Sequence, residues 1–236
     1  MLVDYRLCSF PVPGQEHQAV APDRRLRLRG TMGPMNEATV RAAVEAHIMA
    51  REAEHGHTRI VHELALCQAE ARIDLADVNG HLVGWEIKTR ADTLARLPRQ
   101  QEVYSRVFDR VWLVADGRHI ENALTLIPEW WGVMRIAGDD DGCRLETLRP
   151  SRLNRHIDIH SLVRLLWREE ALAELQSLGL AAHLERAPRR ALWANLADAV
   201  PRCVSREELQ RRVRTRLKDR EGWRVDRPRM SGDDSL

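Results

Sequence analysis

Arg72-Ile-Asp74-Leu-Ala-Asp77-Val-Asn79-Gly80-His81-Leu-Val-Gly84-Trp-Glu86-Ile-Lys88 is the stretch on which the fold turns. Arg72–Val78 alternates apolar and polar residues, as a half-buried strand does. Asn79-Gly80 is a strong hairpin signal. Leu82–Lys88 is then the returning strand. Side chains alternate across a strand, so Glu86 and Lys88 share one face. The loop length decides what stands beside them. A two-residue loop sets Asp74 opposite Trp85 and turns Glu86 away. A three-residue loop, Asn79-Gly80-His81, sets Asp74 opposite Glu86 and Arg72 opposite Lys88, and this is the register we expect.

Outward from the hairpin, helix and strand signals alternate. Asn36 reads as an N-cap. Val40, Ala43, Val44, His47 and Ile48 recur at helical spacing up to about Glu54. Arg59–Leu66 reads as a strand, with a turn over Cys67–Ala71. After a linker at Thr89–Leu97, Pro98 suits the first turn of a helix running to about Phe108. Arg110–Ala115 is a short apolar run fit for a buried strand. A small helix over Ile120–Leu126, a strand over Gly132–Ala137, a turn at Asp139–Gly142 and an edge strand at Arg144–Leu148 follow. Beyond Pro150, residues 158–178, 188–199 and 205–219 read as helices, and Ser205-Arg-Glu-Glu resembles a capping box. The expected class is α/β, a mixed central sheet flanked by helices with a helical C-terminal subdomain. The expected boundaries are a flexible arm over 1–34, a core over 35–150, the helical subdomain over 151–225 and a disordered tail over 226–236.

The hairpin carries chemistry. Phosphodiester hydrolysis needs a cation to neutralise developing charge and activate water. Hard cations take oxygen ligands, so carboxylates should converge. Asp74 and Glu86 supply them, and the backbone carbonyl of Ile87 is placed to join. Lys88 can orient water or stabilise charge. Opposed charges on a solvated sheet face are also ordinary, so the triple alone does not decide the matter. The lysine gains weight from the chain's composition: of 37 Lys plus Arg, only Lys88 and Lys218 are lysine. Lysine offers a compact ammonium that arginine cannot imitate. Lys218, in a charged helix, reads as solvated. Asp77 lies on the other strand face from Asp74 and reads as structural or solvated.

Together these residues resemble the PD-(D/E)XK nuclease superfamily: helix, strand, hairpin with Asp then Glu-x-Lys, helix, strand. Gln100-Gln-Glu-Val-Tyr104 is similar to the helix motif of its RecB-like branch, and Gln100 and Tyr104, four apart, face one side of a helix. Arg72-Ile-Asp74, Gly84-Trp-Glu86-Ile-Lys88, Asp92-Thr-Leu, Leu97-Pro-Arg-Gln100 and Tyr104–Arg110 resemble a largely uncharacterised bacterial family in that superfamily, near MmcB-like repair proteins and VRR-NUC domains. The resemblance spans roughly residues 36–220. Two positions depart from it: Ile73 stands where the motif has proline, and Gln101 where it has an aliphatic residue. It implies a restriction-endonuclease-like core and Mg²⁺-dependent cleavage of DNA, with Mn²⁺ a substitute for Mg²⁺ and RNA an alternative substrate. It also implies a first acidic ligand, for which Glu63, Glu45 and Glu37 are candidates and Glu63 is favoured. Gln100 and Tyr104 would buttress the site or touch the backbone.

Arg72, Arg90, Arg96 and Arg99 surround the motif and could contact phosphates. Trp130-Trp131 reads as core. The helical part could cradle DNA, dock a protein or self-associate. Net charge is only +2, so any nucleic-acid surface is local. Four scattered cysteines and ten histidines without paired spacing argue against a disulfide framework or a zinc site. No run approaches the ~18 apolar residues of a membrane helix, and no signal peptide is visible, so the expected setting is cytoplasmic. The expected function is a DNA nuclease in repair or in defence against foreign DNA. The alternative is a catalytically silent nucleic-acid-binding or protein-docking module on the same fold.

Overall fold

The computed structural model describes residues 36–52, 57–139 and 142–220. The expected arm over 1–34, the tail over 226–236 and residues 140–141 of the turn at Asp139–Gly142 lie outside the described residues. The first helix, α1, spans Glu37–Glu52, and Asn36 Oδ1 accepts from the Thr39 N–H at 2.9 Å, the expected cap. Strands β1 (Arg59–Leu66), β2 (Ala71–Asn79) and β3 (His81–Lys88) form an antiparallel meander. Helix α2 (Leu97–Ser105) leads to β4 (Arg110–Asp116), α3 (Gly117–Leu124), β5 (Gly132–Asp139) and β6 (Gly142–Arg149). One mixed sheet results, in the order β1-β2-β3-β4-β5-β6, with β3, β4 and β5 parallel and the other pairs antiparallel. Helices cross over where parallel pairing demands it, so α2 joins β3 to β4 and α3 joins β4 to β5.

Each sheet face carries its own core. On one side Val40, Val44 and Ile48 of α1 pack on Leu75, Trp85, Val114 and Met134, and Trp85 stacks on Trp112 at 5.5 Å. On the other side α2 and the C-terminal helices share one continuous cluster, from Ile73 and Val103 through Leu162 and Leu192 to Leu217. Trp131 belongs to it, fully buried and stacked on Tyr104 at 6.0 Å, as expected of core. The α2 segment is shorter than expected, because the chain leaves the helix at Arg106 and turns into β4.

The stretch 158–178 is not one helix. Asp158 caps a short α4 (Ile159–Leu162), a 3-10 turn follows over Val163–Leu165, and Leu166 and Trp167 are extended before α5 (Arg168–Ser177) begins. The break is held by Glu170, whose carboxylate accepts from the Trp167 N–H at 2.7 Å. Helices α6 (Arg189–Asp198) and α7 (Arg206–Asp219) follow the expected spans. At α7 the capping box is half formed. Ser205 Oγ accepts from Glu208 N–H, while the Glu208 carboxylate turns to Arg211 and Arg212. Lys218 is not merely solvated: its ammonium donates to Asn79 Oδ1 at 3.1 Å and ties α7 to the hairpin turn. Among the described residues no helix is long and apolar enough to cross a membrane.

Gly84 shows how tightly β3 is packed under α2. A Cβ there would lie 2.5 Å from Ile73 Cδ1 and 3.0 Å from the Phe108 ring. Both neighbours are fully buried, so neither can swing away into solvent. Gly84→Ala is expected to destabilise the fold by about 1–3 kcal/mol through overpacking. Urea denaturation checks this, and an unchanged midpoint would show that the Ile73 side chain can yield.

Candidate functional site

The β2–β3 pairs run from Leu75↔Trp85 to Asn79↔His81, with Gly80 at the apex at φ +58°. The apex is tighter than a three-residue loop, yet the register is the expected one, and continuing it sets Asp74 opposite Glu86. On the other side His62↔Leu75 and Leu64↔Ile73 bracket Glu63 opposite Asp74. Three carboxylates, Glu63, Asp74 and Glu86, therefore stand abreast on three neighbouring strands.

The strands do not hold them there by simple alternation. Val61 and Leu64, three residues apart, both enter the α2-side core, and so do Ile73 and Ala76. Leu75 between them belongs to the α1 side. Both strands thus skip a step at the level of Glu63 and Asp74. Glu63 adopts φ +51°, a left-handed conformation that is uncommon for a non-glycine residue and tends to persist at functional sites. The Asp74 side chain reaches across to β3, where its Oδ2 accepts from the Ile87 N–H at 2.7 Å. The expected Arg72–Lys88 pairing is not part of the ladder, which stops at Leu75↔Trp85. Since an extended residue sends its N–H and C=O to the same side, the Ile87 carbonyl also faces β2.

Glu86 is enclosed, with 1% of its surface exposed, and Lys88 has 4%. Glu86 Oε1 accepts from Lys88 Nζ and from Gln100 Nε2 at 2.6 Å. Its Oε2 lies 2.7 Å from the Tyr104 hydroxyl, which also lies 2.7 Å from the Arg72 carbonyl. One hydroxyl proton thus serves two acceptors. Gln100 and Tyr104, four apart on α2, hold the Glu86 carboxylate from one helix face. Burial, with the Glu86 charge beside it, pushes the Tyr104 hydroxyl far above its ordinary range. Burial and the same charge push the Asp74 carboxyl up to about 7, against the pull of the Ile87 N–H, Lys88 and Arg41. Beyond Lys88 the strand end is clamped. Asp92 Oδ2 accepts from both the N–H and the hydroxyl of Thr89, and His119 Nε2 meets the Thr89 carbonyl at 3.0 Å.

Of the candidates for a first acidic residue, Glu63 and Glu37 gather with Asp74, their oxygens within 4.8 Å of one another. Glu45 lies elsewhere, 3.7 Å from His62. Sequence reading missed Arg41, the cation among these carboxylates. Its guanidinium donates to Glu37 at 2.6 Å, to Glu63 at 2.8 Å and to the Asp74 carbonyl at 2.9 Å. The spacing Glu37-x-x-x-Arg41 was the available signal. Asp77 is structural: buried, it accepts from Trp85 Nε1 at 2.6 Å and pairs with Arg51. Of the expected phosphate-binding arginines, Arg72 pairs with Glu63 at 2.6 Å and Arg99 with Glu70 and Glu102. Arg90 and Arg96 are exposed.

Carboxylate oxygens suit a hard divalent cation, and among the described residues those of Glu37, Glu63 and Asp74 converge, while Glu86 stands outside that group, held by Lys88, Gln100 and Tyr104. Glu86 keeps lone pairs beyond the three bonds it accepts. Beside it, the buried Gln100 Oε1 has no partner among the described residues, an acceptor suited to a coordinated water.

A family model described as Bacteriophage P4 protein cII matches residues 32–230. Protein cII of Enterobacteria phage P4 is 26% identical over 109 residues, which cover 44% of this chain and 41% of the phage protein. The match thus spans less than half of that relative's length. Among solved structures, a protein of unknown function from Silicibacter pomeroyi aligns at 18% identity and a TM-score of 0.40, over 63% of this chain and 94% of that one. With all the described residues inside the family match, the chain belongs to the bacteriophage P4 protein cII family.

Proposed function

We propose that this chain is a Mg²⁺-dependent nuclease that hydrolyses DNA phosphodiester bonds, on the PD-(D/E)XK plan, in DNA repair or defence against foreign DNA. The observation that carries the reading is the row of Glu63, Asp74 and Glu86 across β1, β2 and β3, with Lys88 against Glu86. Asp74, Glu86 and the Ile87 carbonyl would hold the cation, with Glu63 assisting. When bound, Mg²⁺ supplies neutralisation of phosphate charge and a more acidic water. The chain's own residues do the rest. Gln100 and Tyr104 keep the Glu86 carboxylate from rotating. The Ile87 N–H aims one Asp74 oxygen. Lys88, held by Glu86, would offer a fixed ammonium to an attacking water or to charge building on the phosphate.

The test is cleavage of linear and circular DNA by the purified chain in Mg²⁺ or Mn²⁺, set against EDTA. Cleavage is expected with either cation, none in EDTA, and none from Asp74→Ala. Cleavage that persists in Asp74→Ala would remove the assignment. One observation favours a second reading, a silent binding module: Arg41 already bridges Glu37, Glu63 and the Asp74 carbonyl. Calorimetric titration with Mg²⁺ separates the two. Heat of binding that disappears in Asp74→Asn supports the nuclease, and no heat at millimolar Mg²⁺ supports the silent module.

A further inference from the structure

The ammonium of Lys88 is held less firmly than the carboxylate it meets. Glu86 is gripped by Lys88, Gln100 and Tyr104, whereas among the described residues the Lys88 ammonium bonds to Glu86 alone. An ammonium on a flexible stem takes its place from the backbone that carries it. That backbone is at the end of its ladder, since the last β3–β4 pair is Lys88↔Ala115. A strand end without further partners is among the first parts of a fold to open.

Thr89 closes that end. It is 7% exposed, so its backbone groups need partners within the protein. Its N–H donates to Asp92 Oδ2 at 2.7 Å, and its carbonyl accepts from the Asp92 N–H at 3.2 Å. Those two bonds close a local turn and tie it to nothing else. The long-range bond comes from His119, 30 residues on, whose Nε2 lies 3.0 Å from the same carbonyl. A carbonyl oxygen only accepts, so Nε2 carries the proton and donates it.

The donor sits on a rigid mount. Asp116 ends β4 and also caps α3, its side chain accepting from the Arg118 N–H at 3.0 Å, so no loop separates strand from helix. Farther along α3, Ala123 is fully buried in the α2-side core. Because β3 and β4 are parallel neighbours, the start of α3 falls beside the end of β3. His119, itself buried, thus braces β3 one residue beyond the ammonium.

We infer that His119 is a positioning residue for the proposed cleavage: its Nε2–H, by holding the Thr89 carbonyl, fixes the end of β3 and with it the place of the Lys88 ammonium. Its effect on rate rests on the nuclease reading; its effect on Lys88 does not. A displacement of about 1 Å at a reacting group costs on the order of 100-fold in rate, so a brace outside the site matters to the chemistry.

Lys88 and Lys218 are the chain's only lysines, so isotopic labelling of lysine at Cε gives the full chain two side-chain signals in NMR, told apart by Lys218→Arg. His119→Gln keeps an N–H donor, and His119→Phe keeps a ring without one. In EDTA, His119→Phe is expected to shift the Lys88 signal and leave that of Lys218 in place. In Mg²⁺ it is expected to lower kcat at least about tenfold, with KM for DNA changed less than about twofold. His119→Gln should return the Lys88 signal and bring kcat to within about threefold of the wild type. If His119→Phe melts early, His119→Leu carries the same test. The inference is overturned if the Lys88 signal stays unmoved without the donor, if Lys218 moves as much, if His119→Gln behaves as His119→Phe does, or if kcat holds while Lys88 moves. A Lys88 signal that responds as expected in a protein that never cleaves with Mg²⁺ refutes the nuclease and leaves the brace on Lys88 standing. Cleavage by the wild type, with kcat and the Lys88 signal unaltered in His119→Phe, refutes the brace alone.

Discussion

Replacing Lys88 with methionine is expected to destabilise the protein by about 3–5 kcal/mol and to reduce Mg²⁺-dependent cleavage at least about 100-fold. Two separate effects are involved. Glu86 and Lys88 are 1% and 4% exposed, so both charges were taken out of water and each is the other's main compensation. Methionine fills the space of the lysine stem but leaves the Glu86 carboxylate to Gln100 and Tyr104 alone. An uncompensated buried charge is the costly outcome, whereas removing both partners is not. Adding Glu86→Gln to Lys88→Met is therefore expected to recover most of the lost stability in urea denaturation. Cleavage should not return with it, because the proposed mechanism then lacks both a cation ligand and its ammonium. Lys88→Arg should also fail to support cleavage: the planar guanidinium is broader and cannot take the place the proposed mechanism gives the ammonium. If the double variant recovers cleavage along with stability, Lys88 acts only by holding the fold together.

The parts legible in the sequence were those governed by local rules. Asn79-Gly80 announced the turn, and alternation on either side announced β2 and β3. The spacing of Gln100 and Tyr104 placed both on the face of α2 that meets Glu86. What stayed hidden depends on contacts between distant segments. The skipped step at Glu63 and Asp74 leaves no mark on either strand alone. It follows from a left-handed Glu63 on one strand and an Asp74 side chain that replaces a ladder partner on the next. Arg41 shows an i,i+4 link to Glu37, but its longer reach to Glu63 and Asp74 needs the fold. The break at Leu166-Trp167 sits in a run whose apolar spacing reads as one helix. Glu170 capping the Trp167 N–H, and Trp193 Nε1 donating to the Leu166 carbonyl, end it there.

Asp74→Asn is expected to be more stable than the wild type at pH 8 in EDTA, by up to about 4 kcal/mol. The Asp74 carboxyl is pushed from its ordinary 3.8 up to about 7 by burial and the Glu86 charge. Between those values the folded chain holds a proton that the unfolded chain has released. The wild type therefore loses stability as pH rises from about 4 to about 7, and above that the full loss remains. Asparagine does not titrate, and its amide oxygen can still accept from the Ile87 N–H. Other groups titrate in the same range, so the quantity to read is the difference between the two proteins in urea at each pH. That difference should be near zero around pH 4 and grow in favour of Asp74→Asn until about pH 7. A difference that stays flat would show that the wild-type carboxyl is not held above its ordinary value. Mg²⁺ should reverse the order. A cation that binds the ionised carboxylate stabilises only the folded wild type, by RT ln(1 + [Mg²⁺]/Kd), and the variant lacks that charge. At pH 8 and saturating Mg²⁺ the gap between the two proteins should therefore shrink or invert. Equal responses of both to Mg²⁺ would place the cation away from Asp74 and undo the metal assignment, whatever the activity shows.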